Sequence, residues 1–259
     1  MNFTDIIYEK KGGVARITIN RPQVLNAFTN HTLEELLEAF HDAGKDGSIG
    51  VIVLTGVGDR AFSAGGDVKW ERAGGEEANW DRFPDVHNAI RCTLKPVIAR
   101  INGYAIGGGH HLAYFCDLSI ASERAIFGQN GPRVWSPADG FYVNYLVHVV
   151  GAKKAREIWY LCRRYTAREA LAMGLVNAVV PHEQLDEEVD KWCQEVLEMS
   201  PTCIRILKAS FERAFDHLRD LPFSIQRQLA PSFMGSEEQL EGQAAFLEKR
   251  KPDFSRFRR

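Results

Sequence analysis

The hydrophobic and polar positions of the chain alternate between strand-like and helix-like patterns. Residues 14–22, VARITINRP, alternate apolar and polar side chains, which is typical of a half-buried strand. Residues 31–46, HTLEELLEAFHDAGKD, repeat apolar side chains at helical spacing and predict a helix capped by Thr32, with Glu35 three residues on. Short apolar runs in residues 50–56, 95–109, 117–122 and 174–180 predict strands covered on both faces.

This alternation fills roughly the first two thirds of the chain and predicts an α/β fold. After Leu185 the pattern becomes purely helical. We therefore divide the chain into a core over residues 1–190 and a helical region over residues 191–259. No long linker rich in Gly, Ser or Pro separates the two, and no internal repeat is visible.

Two glycine-rich turns each follow an apolar strand and precede a helical pattern. They are AFSAGGDVKW at 61–70 and AIGGGHHL at 105–112. Such turns leave backbone N–H groups free at a helix N-terminus, and two of them can hold one oxyanion. Tight strand–helix packing explains either turn taken singly. Neither turn has the G-x-x-x-x-G-K-S/T pattern of a phosphate-binding loop, and no G-x-G-x-x-G dinucleotide-binding fingerprint follows the first strand.

Composition narrows the class of protein further. The 259 residues carry a formal net charge of −2, which gives no reason to expect nucleic acid or a membrane as a partner. The N-terminus does not read as a signal peptide, and no apolar run is long enough to span a bilayer. The five cysteines lack C-x-x-C spacing, so we expect reduced thiols, a cytoplasmic location and no metal.

Several segments resemble the crotonase (enoyl-CoA hydratase/isomerase) superfamily over nearly the whole chain. They are NRPQVLNAF, DRAFSAGGDVK, the stretch from KPVIARING to FGQNGP, and TAREALAMGLVNAVVP. FGQNGPRV, residues 151–181 and EGQAAFLEKRKPDFSRF most resemble two branches, 1,4-dihydroxy-2-naphthoyl-CoA synthase and 2-ketocyclohexanecarboxyl-CoA hydrolase. The resemblance implies a spiral of ββα turns, with residues 191–259 as a helical region that forms a trimer or a dimer of trimers.

The resemblance also implies an acyl-CoA thioester substrate and assigns residues to it. The N–H groups of Gly66 and Gly108 match the pair that holds the thioester oxygen as it becomes an enolate. Lys249 matches a lysine that contacts CoA from a neighbouring subunit. No tightly bound cofactor is implied, since CoA arrives with the substrate, although bicarbonate is possible beside Gln129 and Gly131. The other residues expected to line the CoA and acyl site are Ala64, Gly65, Asp67, Val68, Tyr104, Ile106, Gly107, Asn130 and Trp135.

The positions of the two hydratase glutamates hold His111 and Gly131 here, which argues against water addition by a glutamate pair. Adjacent helical residues point about 100° apart, so only one of His110 and His111 is expected to face the substrate. We select His111 as a candidate base, with a structural histidine as the equal alternative. Asp67 is interpreted as a turn-stabilising carboxylate.

The segment WSPADGFY departs from both branches. Ser136 is retained, but Ala138 fills the usual aspartate place and Asp139 lies one residue later. Leu25 and Met234 stand where the synthases have a CoA-contacting arginine and a tyrosine. Counted back from YLVHVVG, Asp139 falls at the nucleophile of the 4-chlorobenzoyl-CoA dehalogenases, and a loop carboxylate is the alternative.

These observations leave four hypotheses, which the sequence alone does not separate. The first is hydrolytic ring opening of a cyclic β-keto acyl-CoA with His111 or Asp139 as the base. The others are ring closure of the naphthoyl type, aspartate-dependent dehalogenation or thioester hydrolysis, and a non-catalytic CoA- or RNA-binding member of the fold. The intact glycine turns and near-neutral charge argue against the last. Candidates for an apolar wall around a cyclic acyl group are Trp70, Trp80, Phe83 and Trp135.

Overall fold

The computed structural model describes residues 2–74, 82–134, 136, 138, 140–213, 215, 230, 232 and 235–257. Its strands are β1 Ile6–Lys11, β2 Val14–Ile19, β3 Val51–Gly56, β4 Ala61–Ser63, β5 Val97–Ile101, β6 Tyr104–Ile106, β7 Leu118–Ser122, β8 Ile126–Gly128, β9 Tyr165–Thr166 and β10 Ala178–Val180. Its α-helices are α1 Asn30–Lys45, α2 Val68–Gly74, α3 Arg82–Cys92, α4 Gly108–Phe115, α5 Gly131–Val134, α6 Phe141–Val150, α7 Ala152–Leu161, α8 Ala167–Ala172, α9 Leu185–Leu197, α10 Pro201–Arg213 and α11 Glu237–Leu247.

The strands form two sheets, and the predicted α/β fold is confirmed. One sheet has the order β1-β2-β3-β5-β7-β10 and the other β4-β6-β8-β9. The pairs β3–β4, β5–β6 and β7–β8 each give one strand to each sheet before a helix follows. The chain therefore winds as a spiral of ββα turns, in which equivalent strands of successive turns pair in parallel.

The large sheet is covered on both faces, which explains its continuous apolar strands. Ile52 and Leu54 of β3 enter the main core, whereas their neighbours Val51 and Val53 enter a second cluster. Val189 and Cys193 of α9 complete that second cluster. The boundary predicted between residues 190 and 191 thus falls inside α9, and the division into two regions stays a prediction.

The N-cap of helix α1 lies three residues before the predicted one. Thr29 is the N-cap, and its side chain and that of Thr32 accept each other's backbone N–H in a capping box. The expected role of Thr32 as the cap is wrong, because Thr32 already occupies the third position of the helix. The Glu35 carboxylate instead accepts backbone N–H groups of Thr4 at 2.7 Å and Asp5 at 2.8 Å.

The helical C-terminal region is tied to the core by a buried cation. Lys208 of α10 is buried, and its Nζ donates to the carbonyls of Ile90 and Lys95 at 2.9 and 2.8 Å. It also forms a 2.7 Å ion pair with Asp117.

All five cysteines lie in the described part of the chain and are free thiols. No helix among the described residues is long and apolar enough to cross a membrane.

Candidate active site

The two glycine turns lie side by side because the strands before them are neighbours. Strands β4 and β6 pair in parallel, with Ala61 opposite Tyr104. A methyl group built on Gly65 would lie only 2.8 Å from the amide nitrogen of Gly108. The spiral therefore brings the backbone of residues 64–67 against the first turn of α4.

The amides of Gly66 and Gly108 are the predicted oxyanion donors. The Phe28 N–H donates to the Gly65 carbonyl, and the Asp67 N–H donates to the Phe28 carbonyl, both at 2.9 Å. In such a parallel bridge the N–H of Gly66 points away from Phe28. Within the described part of the chain, neither the Gly66 nor the Gly108 N–H has a hydrogen-bond acceptor. Both glycines line the same cavity.

Each glycine of the triplet has its own reason to lack a side chain. Gly107 caps α4 with φ +56°, a conformation that costs glycine little. Gly108 lies against the Phe28 ring, which would collide with a side chain at this position. A Cβ on Gly109 would lie 2.1 Å from the Ser63 carbonyl oxygen, so α4 can approach β4 only through a glycine.

The cavity has a volume of about 590 Å³. Its floor is formed by Phe83, His111, Tyr142 and Trp159, and we call these four residues the cavity floor. The ring centroids of the other three floor residues lie 5.4–5.6 Å from that of His111. These four rings give the cavity an aromatic surface on this side.

His111 is 5 % exposed and belongs to α4. Burial lowers the pKa of His111 to about 3, although a hydrogen bond with the Gln129 side chain opposes this shift. The ring is therefore neutral at physiological pH and keeps a lone pair that can accept a proton. Its Nδ1 is buried and has no hydrogen-bond partner in the described part of the chain.

His110 points to the other side of α4 and does not line the cavity. The Gln129 amide nitrogen donates to its Nδ1 at 3.1 Å. The ring meets that of Tyr114 edge-on, with the centroids 5.2 Å apart. Of the two histidines, only His111 lines the cavity.

The segment after β8 crosses the cavity wall. Gln129, Asn130, Gly131 and Ser136 all line the cavity. A Cβ on Gly131 would lie 2.5 Å from the Ser136 carbonyl oxygen, and the Ser136 N–H donates to the Gly131 carbonyl at 3.0 Å. A glutamate at position 131 has no room in this loop. Arg164 holds the same segment by donating to the Gln129 carbonyl at 2.9 Å and to Asn130 Oδ1 at 2.6 Å.

Lys249 reaches the cavity from this same chain. Helix α11 packs against α5 and α2, and Phe246, Leu247 and Lys249 line the cavity. Within the single chain, α11 folds back over its own core and brings Lys249 to its own cavity. That a neighbouring subunit supplies the CoA-contacting lysine, as the resemblance implies, stays a prediction. Lys249 has φ +56°, a left-handed conformation in which its N–H donates to the Phe246 carbonyl at 3.2 Å.

Several predicted site residues lie elsewhere or serve the backbone. Gly65, Tyr104 and Ile106 do not line the cavity. The Gly65 N–H donates to Ser63 Oγ at 3.1 Å, and Tyr104 and Ile106 pair within the small sheet. Asp67 lines the cavity beside Ala64, Val68 and Gly107, but its Oδ1 accepts the N–H groups of Lys69 and Trp70 at 3.2 and 3.3 Å. It thus stabilises the turn.

Other predictions concern residues that the structure does not describe. Asp139, Trp135, Trp80 and Met234 lie outside the described residues. Among the described residues, no group of three or more His, Cys, Asp or Glu side chains could hold a metal ion. Trp70 does not line the cavity, whereas Phe83 does.

Sequence reasoning missed Tyr142, Trp159 and His87. Tyr142 and Trp159 lie on helical faces whose spacing is the same as that of ordinary core positions, so periodicity does not distinguish them. His87 is a single histidine on α3, and nothing in its local sequence marks it. The signal that would have found all three is their proximity to His111.

Comparison with known proteins agrees with the fold. The family model described as enoyl-CoA hydratase/isomerase matches residues 9–257. An enoyl-CoA hydratase from Mycobacterium avium subsp. paratuberculosis K-10 is similar, with 28 % identity, 98 % and 99 % of the two chains covered and a TM-score of 0.85. An enoyl-CoA hydratase/isomerase from Xanthobacter autotrophicus Py2 is 30 % identical, with 95 % and 94 % covered and a TM-score of 0.83. A monofunctional enoyl-CoA isomerase from M. smegmatis is 32 % identical, with 82 % and 94 % covered and a TM-score of 0.72.

Proposed function

The chain belongs to the enoyl-CoA hydratase/isomerase family, and within it we propose that this member hydrolytically opens the ring of a cyclic β-keto acyl-CoA. One observation carries the proposal. The unpaired amides of Gly66 and Gly108 and the neutral His111 line a single cavity with an aromatic floor. Opening a ring that carries both a ketone and a thioester requires a base that activates water at the ketone and two N–H donors that hold the thioester oxygen.

The first step is attack of water on the ring ketone. His111 accepts a proton from the water as the oxygen bonds to the ketone carbon. Because burial makes the His111 imidazolium unfavourable, its proton is taken up only as negative charge develops on the substrate. The product of this step is a tetrahedral adduct beside an imidazolium ion.

The second step breaks the bond between the former ketone carbon and the α carbon of the thioester. The electron pair moves onto the thioester oxygen, which becomes an enolate held by the N–H groups of Gly66 and Gly108. One such donor is worth roughly 2.7–4 kcal/mol in a transition state. His111 then returns its proton to the α carbon, leaving a dicarboxylic acid monothioester and a neutral histidine.

The position of Gly131 supports this reaction over hydration by two glutamates. The Ser136 carbonyl occupies the space that a side chain at position 131 would need. Ser136, which lines the cavity, is proposed to hydrogen bond the acyl group, and Asp139 remains the alternative base. Gln129 and Gly131 also line the cavity, which would suit bicarbonate if the reaction ran as ring closure.

The substrate's CoA portion is expected to extend past Ala64, Val68 and Gly107 towards Lys249. No tightly bound cofactor is proposed.

A homotrimer or a dimer of trimers remains the proposed assembly. Three apolar side chains exposed on α10 support contact between copies through this helix, namely Ile206, Leu207 and Phe211. Light scattering tests the assembly. The cytoplasmic location also stays a proposal.

The decisive experiment incubates the enzyme with 2-ketocyclohexanecarboxyl-CoA in water enriched in ¹⁸O. We expect pimeloyl-CoA with ¹⁸O in the new carboxylate. A straight-chain 2-enoyl-CoA and succinylbenzoyl-CoA serve as parallel substrates. Ring closure of succinylbenzoyl-CoA without ring opening of the ketone would favour the synthase reaction, and rapid hydration of the enoyl-CoA alone would refute the ring-opening proposal.

A further inference from the structure

A second cavity, of about 1050 Å³, lies apart from the candidate active site. Its walls are α1, α3 and residues 196–205, which join α9 to α10. Among the residues that the structure describes, no residue lines both cavities, although α3 contributes to each. Phe83 of this helix faces the first cavity, whereas Arg82, Asp85 and Ala89 line the second. The proposed ring opening makes no use of the second cavity.

The interior of the second cavity is apolar. Phe40 of α1, Ile49 and Ala89 of α3 belong to the main core and are only 1–9 % exposed, yet all three line this cavity. Leu197 and Met199 add apolar surface from the third wall. Burial of methylene groups from water is favourable, so an interior of this kind suits the hydrocarbon part of a small molecule.

The charged side chains around this interior are mostly cations. Lys45, Arg82, Lys95 and Arg205 line the cavity, and Asp85 is the only acidic residue among its described lining residues. Arg82 forms an ion pair with Asp85 at 3.4 Å. Within the described part of the chain, neither Lys45 nor Arg205 has an acidic partner. The lining therefore carries a surplus of positive charge.

Arg205 is the cation that is available to a ligand beside Lys95. The Lys95 ammonium group is engaged, because it donates to the carbonyls of Ala43 and Asp46, both at 2.5 Å. Burial lowers the pKa of Lys95, and the charges of Lys10 and Arg205 lower it further against the opposing charge of Asp46. The field of the exposed Arg205 thus reaches into this cavity.

An anion relieves the repulsion between cations around a cavity, whereas an uncharged or cationic ligand does not. We propose that the second cavity binds an amphipathic carboxylate, with its hydrocarbon chain between α1 and α3 and its carboxylate paired with Arg205. The planar guanidinium group can hold both oxygens of a carboxylate. This site is additional to the candidate active site and does not rest on the proposed ring opening.

Isothermal titration calorimetry with a series of short ligands tests both parts of the recognition. We expect octanoate to bind roughly 10-fold more tightly than hexanoate, because two further methylene groups are buried. Octylamine, which has the same chain and the opposite charge, should bind at least 10-fold more weakly than octanoate. Equal affinity for the two carboxylates, equal affinity for octanoate and octylamine, or no binding of octanoate overturns the proposal.

Three variants locate the bound octanoate. Arg205→Gln should weaken its binding at least fivefold. Arg168→Gln is the matched control, because Arg168 is exposed on α8 and lines neither cavity, and its affinity should equal that of the wild type. If Lys249→Ala weakens binding and Arg205→Gln does not, octanoate occupies the first cavity and the proposal fails. Affinity that falls as the protein concentration rises would show that a second copy covers the cavity, which also overturns the proposal.

Discussion

The ring edge of Phe28 lies 2.5 Å from the position that a Cβ on Gly108 would take. Gly108 is also the first residue of α4, where proline is well tolerated because this N–H has no partner within the helix. A proline there removes the proposed oxyanion donor, but any side chain there also displaces Phe28.

The first prediction therefore uses a matched pair. Gly108→Ala introduces the crowding and keeps the N–H, whereas Gly108→Pro introduces the crowding and removes the N–H. Both are made together with Phe28→Leu to relieve the contact. We expect kcat of the proline variant to be about 10²- to 10³-fold below that of the alanine variant. Equal kcat in two folded variants would show that this amide does not stabilise the transition state.

The second prediction concerns acid stability. Burial lowers the pKa of His110 to about 3, from 6.5 for an unperturbed histidine. Between these values the unfolded chain binds a proton that the folded chain does not, so stability is full above pH 6.5 and falls as the pH drops towards 3. At pH 5 this histidine alone lowers the free energy of unfolding by about 2 kcal/mol from its value above pH 6.5.

Urea unfolding at pH 7 and pH 5 measures this effect. His110→Asn replaces the Nδ1 acceptor with a group that does not titrate. The loss of unfolding free energy between the two pH values should be about 2 kcal/mol smaller in the variant than in the wild type. An identical loss would mean that His110 is protonated in the folded protein. The pKa values of His87 and His111 are also lowered, so these histidines reduce stability at low pH as well. Because both are present in the wild type and in the variant, they do not account for the difference between the two proteins.

The third prediction arises from the left-handed conformation of Lys249. An L-residue with a side chain pays for this conformation, and glycine does not. We expect Lys249→Gly to raise the unfolding free energy by roughly 0.5–1 kcal/mol and to weaken binding of an acyl-CoA. Lys249→Ala should weaken binding equally without the gain in stability. Calorimetry on both variants checks the two effects, and unchanged acyl-CoA affinity would remove Lys249 from the site.

The fourth prediction tests the loop at Gly131. A Cβ there meets the Ser136 carbonyl, whereas a Cβ on Gly47 meets nothing within 4 Å. Gly131→Ala should cost about 1–3 kcal/mol of stability, and Gly47→Ala should be neutral or slightly stabilising. Gly131→Glu should not create hydratase activity. Efficient hydration of a 2-enoyl-CoA by that variant would show that the loop can open to admit a carboxylate.

The sequence predicts the elements of this fold better than their ends. The continuous apolar run of β3 and the glycine turns after β4 and β6 are visible because burial on both faces and tight turns restrict residue type directly. The start of α1 is not visible in the sequence. Thr29 and Thr32 are both suitable caps, and only the three-dimensional contacts of Glu35 decide between them.

The residues of the candidate site also fall into those that the sequence predicts and those that it does not. His111 is selected because, in the family resemblance, it stands at the position of a hydratase glutamate just after the glycine triplet. His87, Tyr142 and Trp159 approach it from three separate helices, and no local pattern records a contact between elements that are distant in sequence. The fold-back of α11 over its own core likewise depends on packing that sequence periodicity does not encode.

The two proposed oxyanion donors belong to the main chain of successive turns of the spiral. Every amino acid except proline carries such an N–H, so most substitutions leave this part of the machinery in place. Side chains around it, such as that of His111, can change without removing these two donors. A lineage built on this scaffold can therefore exchange one reaction for another while it inherits the same means of stabilising an enolate.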